Sequence, residues 1–296
     1  TLPHNSGAFE HVHFKLREGS IAGIPRFPTG TSVATTFTAD RLASCTIALM
    51  AKVDPHQGGA EGGYVSWNYP VLSGEDPRYG HAPYVNQMIL AEGAGGGGPA
   101  VKGYDGWLTW GIGAVMGGLW STSAELWEKA QPQLIECGEI VPDSGGAGEY
   151  CGSPGVRIVV RARQAPFIAA GFGDGQVFPP QGILDGEPGG PNQGFILDER
   201  GERIQELPLI GLFEIRAGHA LEGITNGGGG FGDPLDRDPE RVRQDVRKGW
   251  VSVEKARETF GVVLDLEPEE LAVDCEATRK LREEKKRLKK RTPAAT

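Results

Sequence analysis

Three carboxylates, Asp105, Glu125 and Asp143, lie in or beside glycine-rich or aromatic stretches of this 296-residue chain. Paired carboxylates do acid–base chemistry when burial separates their pKa values, so these three are the candidate catalytic residues. Glu125 and Glu128 also sit at i, i+3, the spacing of an ordinary solvated helix face. The run 227–230 is four consecutive glycines after Asn226. Successive backbone N–H groups there can form a nest for an anion or substrate, and the same glycines equally suit close backbone packing.

Other chemistries find less support. No Gly-Lys-Ser/Thr occurs, which excludes a Walker A loop on this chain. Residues 93–98 and 227–232 both fit GxGxxG, yet Pro99 and Pro234 follow closely and neither run opens a helix from a strand, as a dinucleotide site requires. His11 and His13, two apart on an expected strand, would face one way and could join His4 around a metal. No partner stands at diagnostic spacing, and packed or exposed histidines explain them as well. GxSxG is absent, with Ser32 in the nearest approach; Thr1 could use its own amine as base, or simply follow processing. The four cysteines are scattered without a CxxC pair and read as reduced thiols in a cytoplasmic protein, Cys151 being either reactive or a packing residue.

The elements that must position these residues are short. With 46 Gly and 21 Pro, long helical bundles are unfavourable. A strand is expected at 11–16, a helix at about 40–52 packing through Leu42, Ile47, Leu49 and Met50, and strands at 156–161 and 212–216. Asp238-Pro239 opens a helix that Gly249 ends; Ser252 opens another that Gly261 ends. A charged helix is expected over 269–291, supported by Glu276/Lys280 and Glu283/Arg287. The fold is read as α+β: a β-rich, glycine-rich globular body over 1–235, and a helical C-terminal segment over 236–296 with a basic terminal helix.

Charge narrows the partners. Residues 279–291 hold nine Lys/Arg and two Glu, leaving 21 basic and 37 acidic residues elsewhere. That acidic body argues against nucleic-acid binding. No apolar stretch reaches the length of a membrane span, and no secretory signal is visible. The basic helix reads as a solvated terminus or a subunit-docking element.

The sequence Asn226-Gly-Gly-Gly-Gly-Phe-Gly-Asp-Pro-Leu235, followed by Asp238-Pro-Glu, Asp245-Val-Arg-Lys-Gly-Trp-Val-Ser252 and Phe260-Gly-Val-Val-Leu-Asp265, resembles the C-terminus of the hydantoinase B/5-oxoprolinase family. Asp143-Ser-Gly-Gly-Ala-Gly148, Phe178-Pro-Pro-Gln-Gly182 and Arg17-Glu-Gly-Ser20 extend the likeness over about 3–265. The resemblance implies a partner, a hydantoinase A-type ATPase subunit, that binds ATP and phosphorylates a carbonyl-derived oxygen. This activates a cyclic amide for hydrolysis or a ketone enolate for carboxylation. The chain resembles only the C-terminal half of a B-type polypeptide, which implies a separate N-terminal-half subunit carrying the family's divalent metal. Glu149-Tyr-Cys-Gly-Ser153 replaces an arginine-rich continuation, and 120–124 replaces an Asn-Thr-Pro sequence.

The replacement at 120–124 favours a subunit of a ketone carboxylase, with cyclic amide hydrolysis as the alternative and a non-catalytic assembly subunit as a third reading. Trp107, with Trp67 and Trp110, would line an apolar passage for a small-molecule substrate. Asp105, Glu125, Asp143 and Asn226 would supply polar groups, and Gly228 and Gly229 would line the substrate.

Overall fold

The structure is a computed structural model that describes residues 38–64, 67–87, 96–108, 110, 122–265 and 271–291, preceded by 7, 10, 13–20 and 23–28. Its helices are α1 (Thr38–Val53), α2 (Ala124–Ala130), α3 (Pro239–Arg247), α4 (Val253–Glu258) and α5 (Cys275–Arg291). The strands are β1 (Val71–Asp76), β2 (Ala82–Gln87), β3 (Gln133–Ile140), β4 (Val156–Ala162), β5 (Phe167–Gly171), β6 (Gln193–Leu197), β7 (Arg203–Glu206), β8 (Gly211–Ile215), β9 (Ala220–Ile224), β10 (Leu264–Asp265) and β11 (Ala272–Val273). The fold is α+β with helices at its C-terminal end.

All the strand ladders are antiparallel. One sheet has the order β2-β1-β5-β8, the second β3-β4-β9-β6-β7, and β10 pairs with β11. Alternation in β4 turns Val156, Ile158, Val160 and Ala162 onto Leu72, Phe167, Ala169 and Ile215 of the other sheet. Burying each large aliphatic or aromatic side chain there contributes about 1.5–3 kcal/mol. Trp67 is enclosed in this core at 1% exposure, with its indole N–H donated to the Pro208 carbonyl at 3.1 Å. Its expected place in a substrate passage is therefore corrected: the ring is core.

Beside the sheets, the glycine run 226–231 threads among other chain segments instead of joining a sheet. Its amides alternate their targets: Gly227 N–H donates to Gly190, Gly228 to Ser153, Gly229 to Glu61, Gly230 to Glu187 and Phe231 to Tyr150, all at 2.8–3.3 Å. Donors three residues apart thus return to the same neighbour, the repeat of an extended helix with three residues per turn and no internal hydrogen bonds. Carbonyls follow suit, Asn226 accepting from Gly97 and Gly229 from Ala100. Bare backbone is required at this spacing. A Cβ on Gly228 would lie 1.9 Å from the Gly98 carbonyl oxygen.

Helix α1 packs on this bundle through Asp40, Ser44 and Ala51. The expected contacts are corrected here: Leu42, Leu49 and Met50 are exposed, and Ile47 is half-buried. Ala51 meets Ala60, Ala100, Ile183 and Phe231, and the chain at Gly58 passes so near the helix that a Cβ there would lie 2.2 Å from the Ile47 carbonyl oxygen. Residues 13–17 carry no strand, only a turn closed by Gly19 N–H to the Ile24 carbonyl follows, and His11 lies outside the described residues.

The C-terminal helices start where side chains can accept from free N–H groups. Asp238 accepts from Glu240, Ser252 from Lys255, and Asp274 from Ala277. The last of these starts α5 at Cys275, later than the expected 269. Val242, Ala256, Phe260 and Val262 share a core with Ala147 and, partly buried, Cys151. Replacing Gly228 by Ala is expected to lower stability by at least about 3 kcal/mol in urea denaturation, because the carbonyl it meets is fixed backbone. Gly138→Ala, on the exposed side of β3 with nothing within 4 Å, should change it by less than about 1 kcal/mol in either direction.

Candidate functional site

Asp105 sits against a charged centre that sequence reasoning did not find. Arg237, 1% exposed, donates from Nη1 to Asp105 Oδ1 at 2.7 Å and from Nη2 to Oδ2 at 3.0 Å. The same guanidinium reaches Asp245 Oδ2 at 2.7 Å and the Glu149 carbonyl at 3.1 Å. The Cys151 N–H also donates to Asp105 at 2.7 Å. Burial pushes the Asp105 carboxyl upward, but the bonds from Arg237 and Cys151 outweigh it and hold the group below its ordinary value. Asp245 is raised, because burial and the like charge of Asp105 exceed what Arg237 returns. Burial pushes the Cys151 thiol up to about 12, and the side chain packs, partly buried, against the cluster of Ala147 and Val242.

Asp143 ties the DSGGAG turn to the start of α4. It stands at φ 63°, its Oδ1 accepts from Ser252 N–H at 2.8 Å, and its own N–H donates to the Trp250 carbonyl at 2.9 Å. Lys255 Nζ donates to the Asp143 carbonyl at 2.7 Å. Asp105 and Asp143 therefore hold loops on two sides of one small cavity, lined by Asp105, Gly145, Cys151, Arg237, Asp245 and Trp250. Asn226 is fully buried; its Oδ1 accepts from Tyr64 N–H at 3.2 Å and its Nδ2 donates to the Gly175 carbonyl at 3.0 Å. Glu125 lies apart from all of these, exposed in the first turn of α2.

One rim of the bundle, 61–64, gathers a second set. Arg41 of α1 stacks 3.5 Å above the Tyr64 ring and donates from Nε to Asp174 Oδ2 at 2.7 Å. Tyr64 donates its hydroxyl to Glu61 Oε2 at 2.9 Å. Burial, reinforced by Glu61, raises the Tyr64 pKa and keeps the phenol neutral. Asp174 is lowered, since the Arg41 bond outweighs its burial. On the same segment Gly62 makes room for Trp110: a Cβ there would lie 2.4 Å from the indole nitrogen. Trp107 is 62% exposed, with its ring 6.5 Å from that of Trp110. This is the place where large aromatic surface and fixed polar groups converge. No sequence signal marked the Arg41–Asp174 and Arg237–Asp105 pairs, because their partners lie 133 and 132 residues apart along the chain.

Among the described residues, no group of three or more His, Cys, Asp or Glu is placed to hold a metal ion. His13 is exposed, while His4, His11, Thr1 and Ser32 lie outside the described residues. The run 227–232 leads into a single turn at Pro234–Asp236 and not the helix a dinucleotide would need. No helix among the described residues is long and apolar enough to cross a membrane.

A family model described as hydantoinase B/oxoprolinase matches residues 1–234. The chain belongs to that family. It is 32% identical over 270 residues to the caprolactamase subunit beta of Pseudomonas jessenii, covering 89% of this chain and 45% of that protein. It is 28% identical over 318 residues to the acetophenone carboxylase delta subunit of Aromatoleum aromaticum, covering 95% of this chain and 45% of that subunit. The crystal structure of the ATP-dependent caprolactamase from Pseudomonas jessenii superposes with a TM-score of 0.80 at 28% identity, over 96% of this chain and 48% of that one. The chain thus spans about half the length of the relatives it matches.

The charged centre gives a pH-dependent expectation. The stability that Asp105 contributes is present above the ordinary carboxylate pKa of about 3.9 and is lost as the pH falls through its lower folded value. Asp105→Asn should therefore cost about 1–3 kcal/mol near neutral pH, with the gap to the parent protein closing below the carboxylate range. Asp245→Asn should cost less than Asp105→Asn, because its charge is disfavoured by burial and an amide oxygen still accepts from Arg237. Urea titrations of both variants across pH measure this.

Proposed function

We propose that this chain is one part of a multi-chain, ATP-dependent enzyme that opens a cyclic amide. The match to caprolactamase supports this reading, since it extends over nearly the whole chain in both sequence and fold. ATP is bound by a hydantoinase A-type partner, which phosphorylates the amide oxygen. That makes the ring carbon susceptible to water; the adduct then breaks the ring C–N bond, releasing the nitrogen as an amine, and hydrolysis of the acyl phosphate left behind yields the carboxylate and phosphate. A divalent metal belongs to the complex and is carried by another B-type half. The role of this chain is to form one wall of the substrate site.

The 61–64 rim supplies that wall. Trp107 and Trp110 offer apolar surface for the methylene face of a lactam ring, and the Arg41–Tyr64–Glu61–Asp174 cluster keeps the segment beneath them rigid. Asp105, Asp143 and Asn226 act as positioning residues in this reading: they hold the loops on which the wall is built. Gly228 and Gly229 serve the same end through close backbone contact. Glu125 is assigned no part in it.

Carboxylation of a ketone enolate is the second reading, favoured by the alignment with the acetophenone carboxylase delta subunit over 95% of the chain. The sequence preference for it came from the residues just before Glu125. There Ser123 accepts from Leu126 N–H as the cap of α2, so helix capping accounts for a serine at that position irrespective of the reaction.

Bicarbonate separates the two. In the complex assembled with its A-type and B-type partners, ADP release coupled to ring opening should continue when bicarbonate is removed. A strict requirement for bicarbonate would replace hydrolysis by carboxylation. In the same assay Trp107→Ala should raise KM about tenfold, equivalent to about 1.4 kcal/mol, while the melting temperature stays within a degree or so because the exposed ring contributes little to folding.

A further inference from the structure

Helix α1 is amphipathic with its faces reversed. Leu42, Leu49 and Val53, at i, i+7 and i+11, share one side of the helix, and Asp40, Ser44 and Ala51 occupy the opposite side. The polar and small side is the buried one. Leu42 is 51% exposed, Leu49 61% and Val53 76%, with Met50 at the margin of the stripe 41% exposed. A helix that packed only on its own chain would turn this stripe inward. The inward side is already occupied, because Ala51 shares a cluster with Ala60, Ala100, Ile183 and Phe231. A rotation of the helix to bury the leucines is also blocked by Arg41, which is bonded to Asp174 and stacked on Tyr64. The stripe is therefore fixed facing outward, with a charged latch holding it there.

The length of the relatives indicates what covers it. The caprolactamase beta subunit and the acetophenone carboxylase delta subunit each match this chain over only 45% of their own length, and the solved caprolactamase chain over 48%. Each therefore contains roughly as much polypeptide again, joined covalently to the matching half. A half of that size needs an apolar seam against this one, and isolated surface leucines would not provide it.

We infer that the outward stripe Leu42–Leu49–Val53 of α1 is the docking seam for the complementary half of a B-type polypeptide. This inference rests on the multi-chain reading proposed above, whose own test is catalytic. The occupant lays an apolar helix or strand face along α1, with Met50 at the edge of the contact. Arg41 stays committed to its own chain, so the seam is hydrophobic in character and weakly dependent on salt.

Site-specific photocrosslinking on the full chain, purified in the complex from its source, tests the seam. Leu49→p-benzoylphenylalanine should crosslink to peptides of a hydantoinase B-type sequence that align with the part of caprolactamase beta outside the region matched here. The same label at Leu288, an exposed leucine on α5, should not. The double variant L49E/V53E should weaken association with that half by at least about tenfold, with an unchanged melting temperature for the chain alone. Crosslinks to residues 38–53 of a second copy, to a protein of another class, or to nothing would each overturn the inference. Bicarbonate-independent ADP release by the same unlabelled preparation reports on the functional reading separately. Turnover without the Leu49 crosslink defeats the seam alone, and the crosslink without turnover defeats the reaction alone.

Discussion

The close packing of bare backbone around residues 226–231 is the constraint on which the rest of this structure depends. Each successive N–H in that run is donated to a different neighbouring segment, and the pattern returns every third residue. Together with its carbonyls, the run holds four stretches distant in sequence, around 61, 97–100, 150–153 and 187–190, at contact distance without a sheet to align them. Only glycine permits it where one carbonyl oxygen lies 1.9 Å from the place a Cβ on Gly228 would occupy. The hydrogen bonds supply the direction that side-chain packing supplies elsewhere, and unpaired backbone groups in so dense a bundle would be costly.

Charge is arranged in consequence. The loops around the bundle have few apolar side chains to pin them, so ions and caps do that work. Arg237 joins Asp105 to Asp245 and the Glu149 carbonyl, and Asp143 fixes the entry to α4. The basic terminal helix is used in the same way: Lys286 and Lys289 pair with Asp236 and Asp233, while Arg282 donates to the carbonyls of Arg237 and Phe260. Asp105 and Asp143 are thus engaged in holding loops, while Glu125 stands exposed on α2. What stays open is the rim at 61–64, where Trp107 and Trp110 present aromatic surface above a rigid polar cluster.

Local signals were readable, and distant ones were not. Asp238-Pro239 and Ser252 announced α3 and α4 because a cap acts within three residues, and the apolar runs at 156–161 and 212–216 disclosed β4 and β8, whereas the alternation expected to make a strand at 11–16 leaves none over 13–17. The family resemblance came from contiguous motifs in the glycine run and the DSGGAG turn. The extent of α1 was legible but its orientation was not, since periodicity marks an apolar face without saying whether that face is the buried one. Arg237 and Arg41 gave no sign of their importance. Asp105 lies 132 residues from Arg237, and Asp174 133 from Arg41, separations that no spacing rule covers.

Amide hydrogen exchange on the assembled complex, with and without a cyclic amide and ATP, tests the account most directly. Peptides over 144–155 and 224–232 should exchange as slowly as the central strands β4 and β9 in both states, and added protection should fall on 61–64 and 104–110. Exchange at 224–232 as fast as that of an exposed loop would contradict the glycine scaffold. Protection that bypasses 61–64 and 104–110 would contradict the site built upon it.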